Sequence, residues 1–477
     1  MTAPILRYYQ ENGANDIRTA LTEGIRRVLY QCPTGGGKTV LFCYIAMNAA
    51  ARGNRVWIVV HRRELVRQTV NKLREFGVSC GVIASGWTAN PYQAIQVCLI
   101  DSMLSRMANY PAPQLVIPDE AHHVVSPKWL KILEALPDAR ILGVTATPER
   151  LDGKGLGEFF DHLILGPSVK ELMGVGALCR AEIWSWDTPD VSKVHTLAGD
   201  FNRKELGEAM DRSAVIGEAV QHYREFANNT PAIAFCVNLE HAEHVAQQFR
   251  DAGYNALRVD GKMEQEERDG AIKGLGEGRV QILTSCDLIS EGVDIPIVTT
   301  AILLRPTKSL SLYLQQVGRV LRPAEGKPHA NVLDHAGNVL RHGPPWADRE
   351  WSLDGRKKQV AQAAPADIVT QCSHCYRVYE GRGECPYCGF VPVGQGRELT
   401  QLDGQLVKLT EEREARLEAD RKKREVWGAT SRADLERIAQ ERNYSPGWVR
   451  LQIQLRKRYG RPLVDAEHVP VEEPAVA

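Results

Sequence analysis

The chain alternates short runs of β-branched and apolar residues with longer stretches in which apolar residues recur at helical spacing. In the first third of the chain, strand-like runs fall at residues 26–31, 55–60, 95–100, 114–118 and 140–145. Helical patterns lie between them, at residues 38–52, 64–76 and 127–136. Alternating strands and helices predict a parallel sheet with helices on both faces. We therefore expect an α/β domain over residues 1–165.

The alternation lapses and then returns. Residues 166–205 show no steady period, which predicts an irregular connection. A helix is then expected near 203–227, and further helices at 239–253, 265–275 and 310–317. Strands are expected at 232–237, 256–259, 280–285, 298–304 and 330–334. The predicted fold class is thus α/β, with a second parallel-sheet domain over residues 206–345.

Beyond residue 345 the composition no longer fits a sheet domain. The polar, proline-containing run at 346–370 predicts a linker. Four cysteines within seventeen residues mark a small module at 371–391, and a charged helical tail is expected at 405–462. Between residues 421 and 461 the tail has twelve Lys and Arg against four Asp and Glu. It is expected to be an accessory surface for nucleic acid or a partner, or else an amphipathic helix pair with a solvated charged face.

Composition narrows the class of protein. Lys plus Arg and Asp plus Glu number 59 each, so the net charge is zero, and 43% of the residues are hydrophobic. This balance excludes intrinsic disorder as the main state and argues against a protein that coats nucleic acid by bulk charge. The longest apolar stretch, 40–51, is too short to cross a bilayer, and no secretion-signal pattern is visible, so we expect no membrane partner. Seven scattered cysteines are typical of reduced core residues and predict a cytoplasmic protein.

A glycine-rich loop joins the first predicted strand to the first predicted helix. Its sequence is Cys32-Pro33-Thr34-Gly35-Gly36-Gly37-Lys38-Thr39. Glycines let successive backbone N–H groups point at phosphate oxygens, and the helix N-terminus adds partial positive charge. Lys38 is suited to reach the β- and γ-phosphates, and the Thr39 hydroxyl to bind Mg²⁺. The loop predicts an ATP site, although Cys32 replaces the first glycine of the strict pattern.

Two carboxylates follow the strand predicted at 114–118, in the sequence Asp119-Glu120-Ala121-His122. Ligands of parallel α/β sheets bind at the carboxyl ends of the strands. Asp119 is suited to hold Mg²⁺, and Glu120 to polarise the attacking water as general base. The alternative is an ordinary pair of acids at a helix N-terminus. The phosphate loop upstream favours the catalytic interpretation.

Together these motifs resemble those of superfamily 2 helicases, in the family's order across residues 7–323. The matching stretches are Arg7-Tyr8-Tyr9-Gln10, the phosphate loop, Val60-His61-Arg62-Arg63-Glu64-Leu65, the DEAH run at 119–122, Thr145-Ala146-Thr147-Pro148, Ser285-Cys286-Asp287, 291–296, and Gln315-x-x-Gly318-Arg319-x-x-Arg322. Residues 304–319 and 333–338 are similar to the RadD-like bacterial and phage helicases, although the DEAH run and the short tail depart from that group. The resemblance implies two tandem RecA-like domains and a protein of a bacterial or phage-infected cell.

The resemblance also implies roles for single residues. Arg7 and Gln10 are expected to read adenine, and Gly292, Asp294 and Gln315 to help bind ATP. His122, Thr145 and Thr147 are expected to couple hydrolysis to movement. Phosphate contacts with a nucleic-acid strand are expected from His61, Arg62, Arg63, Thr284 and Ser285, although each of these five is equally consistent with ordinary surface. Such contacts position a strand without reading its bases, so little sequence preference is predicted.

Arg319 and Arg322 lie three residues apart near the end of a predicted helix. A phosphate site on one domain lacks cations to meet the charge that develops at the γ-phosphate, and these arginines are suited to reach across the cleft as arginine fingers. Arginine fits this role through its permanent charge and forked donors. The alternative is two surface arginines on a helix. On the finger interpretation, ATP draws the two domains together and hydrolysis releases them.

The clustered cysteines form two knuckles, Cys372-Ser373-His374-Cys375 and Cys385-Pro386-Tyr387-Cys388. Two such knuckles place four thiolates tetrahedrally around Zn²⁺. The module has too few apolar residues to fold alone, so metal binding would supply its folding free energy. Redox dithiols are more typical as a single pair beside a βαβ unit. We therefore expect a structural zinc ribbon.

The predicted function is an ATP-dependent DNA helicase or translocase that uses ATP, Mg²⁺ and Zn²⁺, with single-stranded or forked DNA as its partner. DNA is favoured over RNA only by the RadD-like resemblance. Three alternatives stay open at this point: an RNA-dependent ATPase, a nucleic-acid-binding scaffold that uses ATP as a switch, and the motor subunit of a restriction complex.

Overall fold

A computed structural model of the protein divides into two compact units, residues 1–394 and residues 395–477. The structure describes residues 5–150, 152–186, 190–197, 199–211, 213–286, 295–355, 369–381 and 383–391 of the first unit, and residues 425–426, 429, 431–442, 444–445 and 447–458 of the second. The first unit contains two sheet domains, called lobe 1 and lobe 2 below, and a small cysteine module.

Lobe 1 is built on a parallel sheet in the strand order β3-β4-β2-β5-β6-β1-β7. Its strands are β1 (Arg27–Gln31), β2 (Val56–Val60), β3 (Gly81–Ile83), β4 (Ile95–Leu99), β5 (Leu115–Pro118), β6 (Arg140–Thr145) and β7 (His162–Leu165). Its helices are α1 (Tyr8–Thr22), α2 (Lys38–Ala51), α3 (Arg63–Glu75), α4 (Ile100–Arg106) and α5 (Pro127–Glu134). Strands β2, β4 and β5 are buried on both faces, as expected for central strands of a parallel sheet covered by helices.

Lobe 2 has a six-stranded parallel sheet in the order β12-β13-β11-β14-β15-β8. Its strands are β8 (Ala181–Ser185), β11 (Ala232–Phe235), β12 (Ala256–Arg258), β13 (Ile282–Ser285), β14 (Thr300–Leu303) and β15 (Ala330–Asp334). Two short antiparallel strands, β9 (Thr196–Leu197) and β10 (Asp200–Phe201), come between β8 and β11 in the chain. Its helices are α6 (Val169–Gly174), α7 (Arg203–Met210), α8 (Ser213–Phe226), α9 (Leu239–Asp251), α10 (Gln265–Gly276), α11 (Leu310–Val320) and α12 (Asn338–His342). The expected α/β class with two tandem parallel-sheet domains is confirmed.

The stretch 166–205, expected to be an irregular connection, is instead part of the fold of lobe 2. Strand β8 pairs in parallel with β15, with Ile183 opposite Val332. Only the second half of β8 is buried, because it is an edge strand, and so its sequence lacks the continuous apolar run of a central strand. The single helix predicted near 203–227 is also wrong: the chain forms α7 and α8, which are separated after Met210.

Residues 346–355, expected to begin a linker, form a strap that packs on both lobes. Trp346 and Trp351 pack against the core of lobe 2, and Leu353 packs against a core of lobe 1. The backbone N–H of Gly157 donates to the Leu353 carbonyl oxygen at 2.8 Å. The expected linker is therefore an ordered connection over this part, whereas residues 356–368 lie outside the described residues.

The cysteine module contains the antiparallel pair β16 (Val369–Gln371) and β17 (Val378–Glu380). It lies against the exposed edge of β8, where the Ser185 N–H donates to the Tyr376 carbonyl oxygen at 3.1 Å. Arg377 pairs with Glu182 at 2.8 Å, and its guanidinium lies over the rings of Trp184 and Tyr387. The module thus covers a sheet edge that would otherwise present unpaired backbone groups.

The described part of the tail forms two helices, α13 (Arg432–Glu441) and α14 (Trp448–Arg458). Leu435 and Ile438 are buried between them, and the rings of Tyr444 and Trp448 pack together at 4.5 Å within this small core. These contacts are those expected of an amphipathic helix pair with a solvated charged face. Within the parts of the chain that the structure describes, no helix has the length and apolar character needed to span a membrane.

Candidate functional site

The phosphate loop leaves the end of β1 and enters α2. Gly35 and Gly37 have φ values of +85° and +87°, a left-handed conformation that residues with a Cβ rarely adopt. Gly37 is the N-cap of α2, so the loop delivers its backbone N–H groups at a helix N-terminus, where an anion is stabilised. The ammonium group of Lys38 donates to the Cys32 carbonyl oxygen at 3.2 Å, across the mouth of the loop. This geometry is suited to hold a polyphosphate.

Cys32 occupies the position where the strict loop pattern has glycine, and the structure explains why a thiol is tolerated. The side chain is buried, and burial raises the pKa of this thiol to about 11, so it stays neutral. A Cβ built on Gly36 would lie 2.6 Å from the Cys32 sulfur. The thiol therefore fills the space beside Gly36, where a side chain would collide with it.

Two residues expected to read adenine lie at the start of α1. The Gln10 amide donates to the Gly37 carbonyl oxygen at 3.3 Å and is itself buried. Arg7 is exposed, and its guanidinium donates to the Tyr9 hydroxyl at 3.1 Å. The structure therefore brings Gln10 against the phosphate loop, with Arg7 one turn away on the same element.

Asp119 and Glu120 lie at the carboxyl end of β5, beside the phosphate loop. Burial, with a smaller contribution from Glu120, raises the pKa of Asp119 to about 6, while Lys38 and His61 lower it. A buried carboxylate in this position is stabilised by a nearby cation, as Mg²⁺ would provide. Glu120 has φ +50°, and its N–H donates to the Asp119 carboxylate at 2.9 Å. Such a left-handed conformation at a residue other than glycine is typical of functional sites.

A chain of polar contacts, mostly buried, runs from Glu120 to lobe 2. His122 lies 3.5 Å from the Glu120 carboxylate and 3.2 Å from the Thr145 hydroxyl. The Thr145 hydroxyl donates to the Thr147 carbonyl oxygen at 2.9 Å. The Thr147 hydroxyl then donates to the Ser311 hydroxyl at 2.6 Å, across the cleft between the lobes. The three predicted coupling residues are thus connected in one path that ends on α11.

Sequence reasoning missed Ser311 as a member of this path. On α11, Ser311, Gln315 and Arg319 are spaced at intervals of four, so they lie on one face of the helix. All three side chains are buried, Ser311 completely. The available signal was the four-residue spacing from Ser311 to Gln315 and from Gln315 to Arg319. A serine in a helix is too common to be singled out by this spacing, because its partner Thr147 is far away in the sequence.

Ser311→Ala is expected to weaken the coupling between the lobes. It leaves the buried Thr147 hydroxyl without its partner across the cleft, which costs about 1–3 kcal/mol. We expect a lower maximal ATP turnover in the presence of nucleic acid and an unchanged affinity for ATP, measured by steady-state kinetics and nucleotide titration. Ser309→Ala is the matched control, since Ser309 caps the same helix without bonding to lobe 1. Equal losses in both variants would contradict the coupling role.

The helix α11 lies directly against the phosphate loop. A Cβ built on Gly318 would lie 2.5 Å from the Cβ of Thr34, so only glycine permits this approach. A Cβ built on Gly35 would lie 3.5 Å from the Cγ of Arg322. The aliphatic part of the Arg322 side chain therefore lies beside the loop. Arg319 is buried, with 8% of its surface exposed, on the same face of α11 as Gln315. Both lobes contribute side chains to one cleft.

A buried lysine that sequence reasoning missed supports Arg322. The Lys327 ammonium donates to the carbonyl oxygens of Pro296, Val298 and Arg322, at 3.2, 2.5 and 2.8 Å. Desolvation lowers the pKa of Lys327 to about 8. Three carbonyl partners around one amine fix the backbone at the end of the arginine motif. Gly292 and Asp294, also expected to bind ATP, lie outside the described residues.

The residues expected to contact nucleic acid do not behave alike. Arg63 is exposed at the start of α3, and Arg62 is its partly buried N-cap. His61 is partly buried, and its ring instead lies 4.8 Å from that of His123. Thr284 and Ser285 are buried, and the Thr284 hydroxyl donates to the Ala242 carbonyl oxygen at 2.7 Å. The last two are thus corrected: they do not offer hydroxyl groups to a strand in this conformation.

The lobes are also joined near α3 by ion pairs. Arg268 on α10 pairs with Glu64 at 2.5 Å, and Arg67 pairs with Asp269 at 3.2 Å. Arg268 and Glu64 are mostly buried, so their interaction is less screened by solvent than that of the exposed second pair. These pairs link the element expected to grip nucleic acid to lobe 2.

The four clustered cysteines converge on one point. The sulfur atoms of Cys372 and Cys388 lie 3.6 Å apart, and those of Cys375 and Cys385 lie 3.8 Å apart. All four sulfurs are within 4.8 Å of one another. Zn–S bonds are about 2.3 Å long, so sulfurs around one tetrahedral ion lie close to these separations. The donor set fits a closed, structural zinc site.

Comparison with known proteins assigns the family. Residues 4–150 match the family described as type III restriction enzyme, res subunit, and residues 188–324 match the helicase conserved C-terminal domain. A 51.5 kDa protein of a Lactococcus phage is 32% identical over 391 residues, which are 81% of this chain and 83% of the phage protein. The chain belongs to helicase superfamily 2. It is therefore an ATP-dependent nucleic-acid helicase or translocase, and ATP is its substrate.

Further relatives agree with this family. IRC3 of Saccharomyces cerevisiae, named as a candidate ATP-dependent helicase, is 29% identical over 358 residues, 70% of this chain but 52% of the yeast protein. The helicase therefore spans about half the length of that relative. A fragment of a candidate HsdR subunit of a type I restriction enzyme from Vibrio vulnificus YJ016 has the same fold, with a TM-score of 0.59 and 24% identity over 71% of this chain and 66% of that one.

Proposed function

We propose that this helicase acts on DNA, with single-stranded or forked DNA as its track. The RadD-like stretches at 304–319 and 333–338 support this choice, and so does the match of lobe 1 to the res subunit of a restriction enzyme. The observation that carries the motor mechanism is the contact of the phosphate loop with α11, where Thr34 meets Gly318 and Gly35 lies beside Arg322. One nucleotide bound there touches both lobes.

In the proposed reaction, Glu120 accepts a proton from the water that attacks the γ-phosphate. Its position at the end of β5, held by the hydrogen bond to Asp119 and by His122, suits this role. Lys38, Arg319 and Arg322 meet the charge on the transferred phosphoryl group. When the phosphate leaves, the contacts that join the lobes through it are lost, and the lobes separate.

Thr39 and Asp119 are the residues that would hold Mg²⁺. Their hydroxyl and carboxylate oxygens are the ligands that this ion prefers, and the buried Asp119 carboxylate is otherwise poorly solvated. The ion would neutralise charge on the β- and γ-phosphates. Gln10 and Arg7 are proposed to contact the adenine, and Gln315, with Gly292 and Asp294, to complete the nucleotide site from lobe 2.

The zinc ribbon is proposed as a structural extension of lobe 2. Its thiolates are the four cysteines at 372, 375, 385 and 388, and its backbone continues the sheet beyond β8. Arg377 already pairs with Glu182 and lies between two aromatic rings, so it serves the docking of the module.

None of the eleven cysteines forms a disulfide, which supports the proposed location in the cytoplasm of a bacterial or phage-infected cell.

About one zinc ion per chain is expected by metal analysis of the purified protein. Replacing Cys372 and Cys375 with serine should abolish zinc binding and lower the temperature of unfolding, because the module folds on its metal and covers the edge of β8. Cys80→Ser, in lobe 1, is the matched control and should keep its zinc. A wild-type protein without zinc, or a double variant that retains it, would contradict the ribbon.

The choice of polymer is tested by ATP turnover in five conditions: no polymer, single-stranded DNA, duplex DNA, forked DNA and RNA. We expect the largest stimulation with single-stranded or forked DNA. Binding should weaken steeply as salt rises, because the contacts are mainly to phosphates. Stimulation by RNA alone would make the DNA proposal wrong, and membership of the helicase family would be unaffected.

A second candidate is the motor subunit of a restriction complex. The match of residues 4–150 to a res subunit favours it, and a separate chain would then supply the nuclease. The two candidates differ in the dependence on recognition sequence. A motor that acts alone should be stimulated equally by DNA substrates of unrelated sequence, whereas a restriction motor needs its partner and a specific site.

A further inference from the structure

Motif residue His61 has a position that its expected role does not explain. It follows β2, and the acidic pair follows β5, the neighbouring strand. Val59 lies opposite Pro118 in this pairing, and the Asp119 N–H donates to the Val59 carbonyl oxygen at 3.0 Å. His61 directly follows Val60, the last residue of β2, so it lies two residues beyond the bonded Val59 and beside the segment that carries Asp119 and Glu120.

Three imidazole rings connect this position to the catalytic turn. The ring centroids of His61 and His123 lie 4.8 Å apart, and those of His123 and His122 lie 4.2 Å apart. His122 then reaches Glu120 at 3.5 Å and Thr145 at 3.2 Å. The rings form a continuous packed row from the end of β2 to the Glu120 carboxylate and the coupling path.

The other end of this row is the start of α3. Arg62 is the N-cap of α3 and Arg63 its first residue, with an exposed side chain. His61 is the residue directly before the cap, so a strand bound at Arg62 and Arg63 acts on the backbone that carries the His61 ring. A shift of the α3 N-terminus therefore moves the first ring of the row.

We propose that His61 is a positioning residue, which acts through the ring of His123 to hold the Glu120 turn and so relays nucleic-acid binding at α3 to ATP hydrolysis. This inference rests on the proposed role of Glu120 as general base. It replaces the expected phosphate contact of His61, while Arg62 and Arg63 keep theirs.

The row of rings stabilises the backbone conformation of Glu120. A residue other than glycine at φ +50° is held there only when its surroundings fix it. The short turn after Glu120, residues 121–123, contains the two histidines that pack in the row. Removing the His61 ring takes away the contact that packs His123 from the side of β2, and the turn can relax away from the position in which Glu120 faces the nucleotide.

The test compares His61→Ala and His61→Phe with Arg63→Ala. The Phe variant keeps a ring against His123, the Ala variant removes it, and Arg63→Ala removes an exposed cation at the same end of α3. For each, the measurements are ATP turnover with and without saturating oligonucleotide of the polymer that stimulates the wild type, KM for ATP, and oligonucleotide affinity over a series of salt concentrations. Unfolding temperatures identify variants that are folded in the assay.

His61→Ala is expected to lower the stimulated kcat by about 10- to 100-fold, the range for a misplaced catalytic group, with KM for ATP and oligonucleotide affinity unchanged. His61→Phe should keep most of the stimulated kcat. Arg63→Ala should instead weaken oligonucleotide binding and make that binding less dependent on salt, because it removes a phosphate contact. Adding His61→Ala to His123→Ala should cost no more than His123→Ala alone, because the contact between these two rings is already lost.

Two outcomes would overturn the inference. Either His61→Ala weakens oligonucleotide binding and leaves the saturated kcat intact, as a phosphate contact requires, or His61→Phe loses as much kcat as His61→Ala. If His61→Ala is unfolded in the assay, His61→Leu against His61→Phe makes the same comparison of an aliphatic chain with a ring. Failure of the proposed base is separate, since it is decided by Glu120→Gln alone.

Discussion

Glu120→Gln is expected to bind ATP normally and to hydrolyse it at least about 100-fold more slowly than the wild type. The amide keeps the size of the side chain and its place at the end of β5, but it cannot accept a proton from water. Asp119, Lys38 and the phosphate loop are left in place, so the affinity for ATP is expected to stay the same. Turnover with saturating nucleic acid and equilibrium binding of a fluorescent ATP analogue measure the two quantities.

Glu171→Gln is the matched control for this variant. Glu171 lies in the capping box of α6, on the rim of the cleft, and has no place in the proposed reaction. It should lower stability slightly and leave kcat within the error of the assay. Near-normal turnover in Glu120→Gln would remove Glu120 as the general base, whereas loss of ATP binding would show that it holds the nucleotide or the site's fold instead.

Arg319→Ala and Arg322→Ala should each lower kcat by about 10³-fold or more, the range measured for arginine fingers. Both side chains come from lobe 2, and Arg322 has its stem beside Gly35 of the phosphate loop. Their charge matters most when negative charge moves onto the transferred group, so the loss should appear in kcat more than in KM for ATP. Replacement by lysine should recover little, because an ammonium group lacks the planar fork of donors.

Arg279→Ala serves as the control for these two variants. Arg279 is an exposed arginine of lobe 2, and it pairs with Glu277. Neither residue belongs to α11. The substitution removes one positive charge from the same lobe and should leave kcat unchanged. If Arg319→Ala and Arg322→Ala both turn over ATP normally, the lobes do not share the nucleotide, and movement cannot be driven by closing them around it.

The site could be predicted in part because its main motifs are local in sequence. The phosphate loop, with its glycines at positive φ and Lys38 at the start of α2, needs only a strand, a turn and a helix to be in place. The acidic pair and the two cysteine knuckles are equally compact. For such motifs the residue types and spacing already determine which backbone groups and side chains converge.

Other parts needed contacts between residues far apart in the chain. Thr147 and Ser311 are 164 residues apart, and their hydrogen bond exists only because the lobes pack. His61 and Thr284 have the residue types of surface contacts, yet one packs against His123 and the other bonds to the Ala242 carbonyl. Edge strand β8 and the strap at 346–355 lack a periodic pattern, since their partners lie on other elements.

The sequence by itself determined the helicase family, the two α/β lobes, the phosphate loop, the acidic pair and the cysteine cluster, because local backbone geometry and hydrophobic period specify them. Only the tertiary structure decided which side chains meet across the cleft. Gly318 against Thr34, Ser311 against Thr147 and the module against β8 depend on the relative placement of whole elements. That placement is set by the summed packing of two cores, which no single stretch of residues contains.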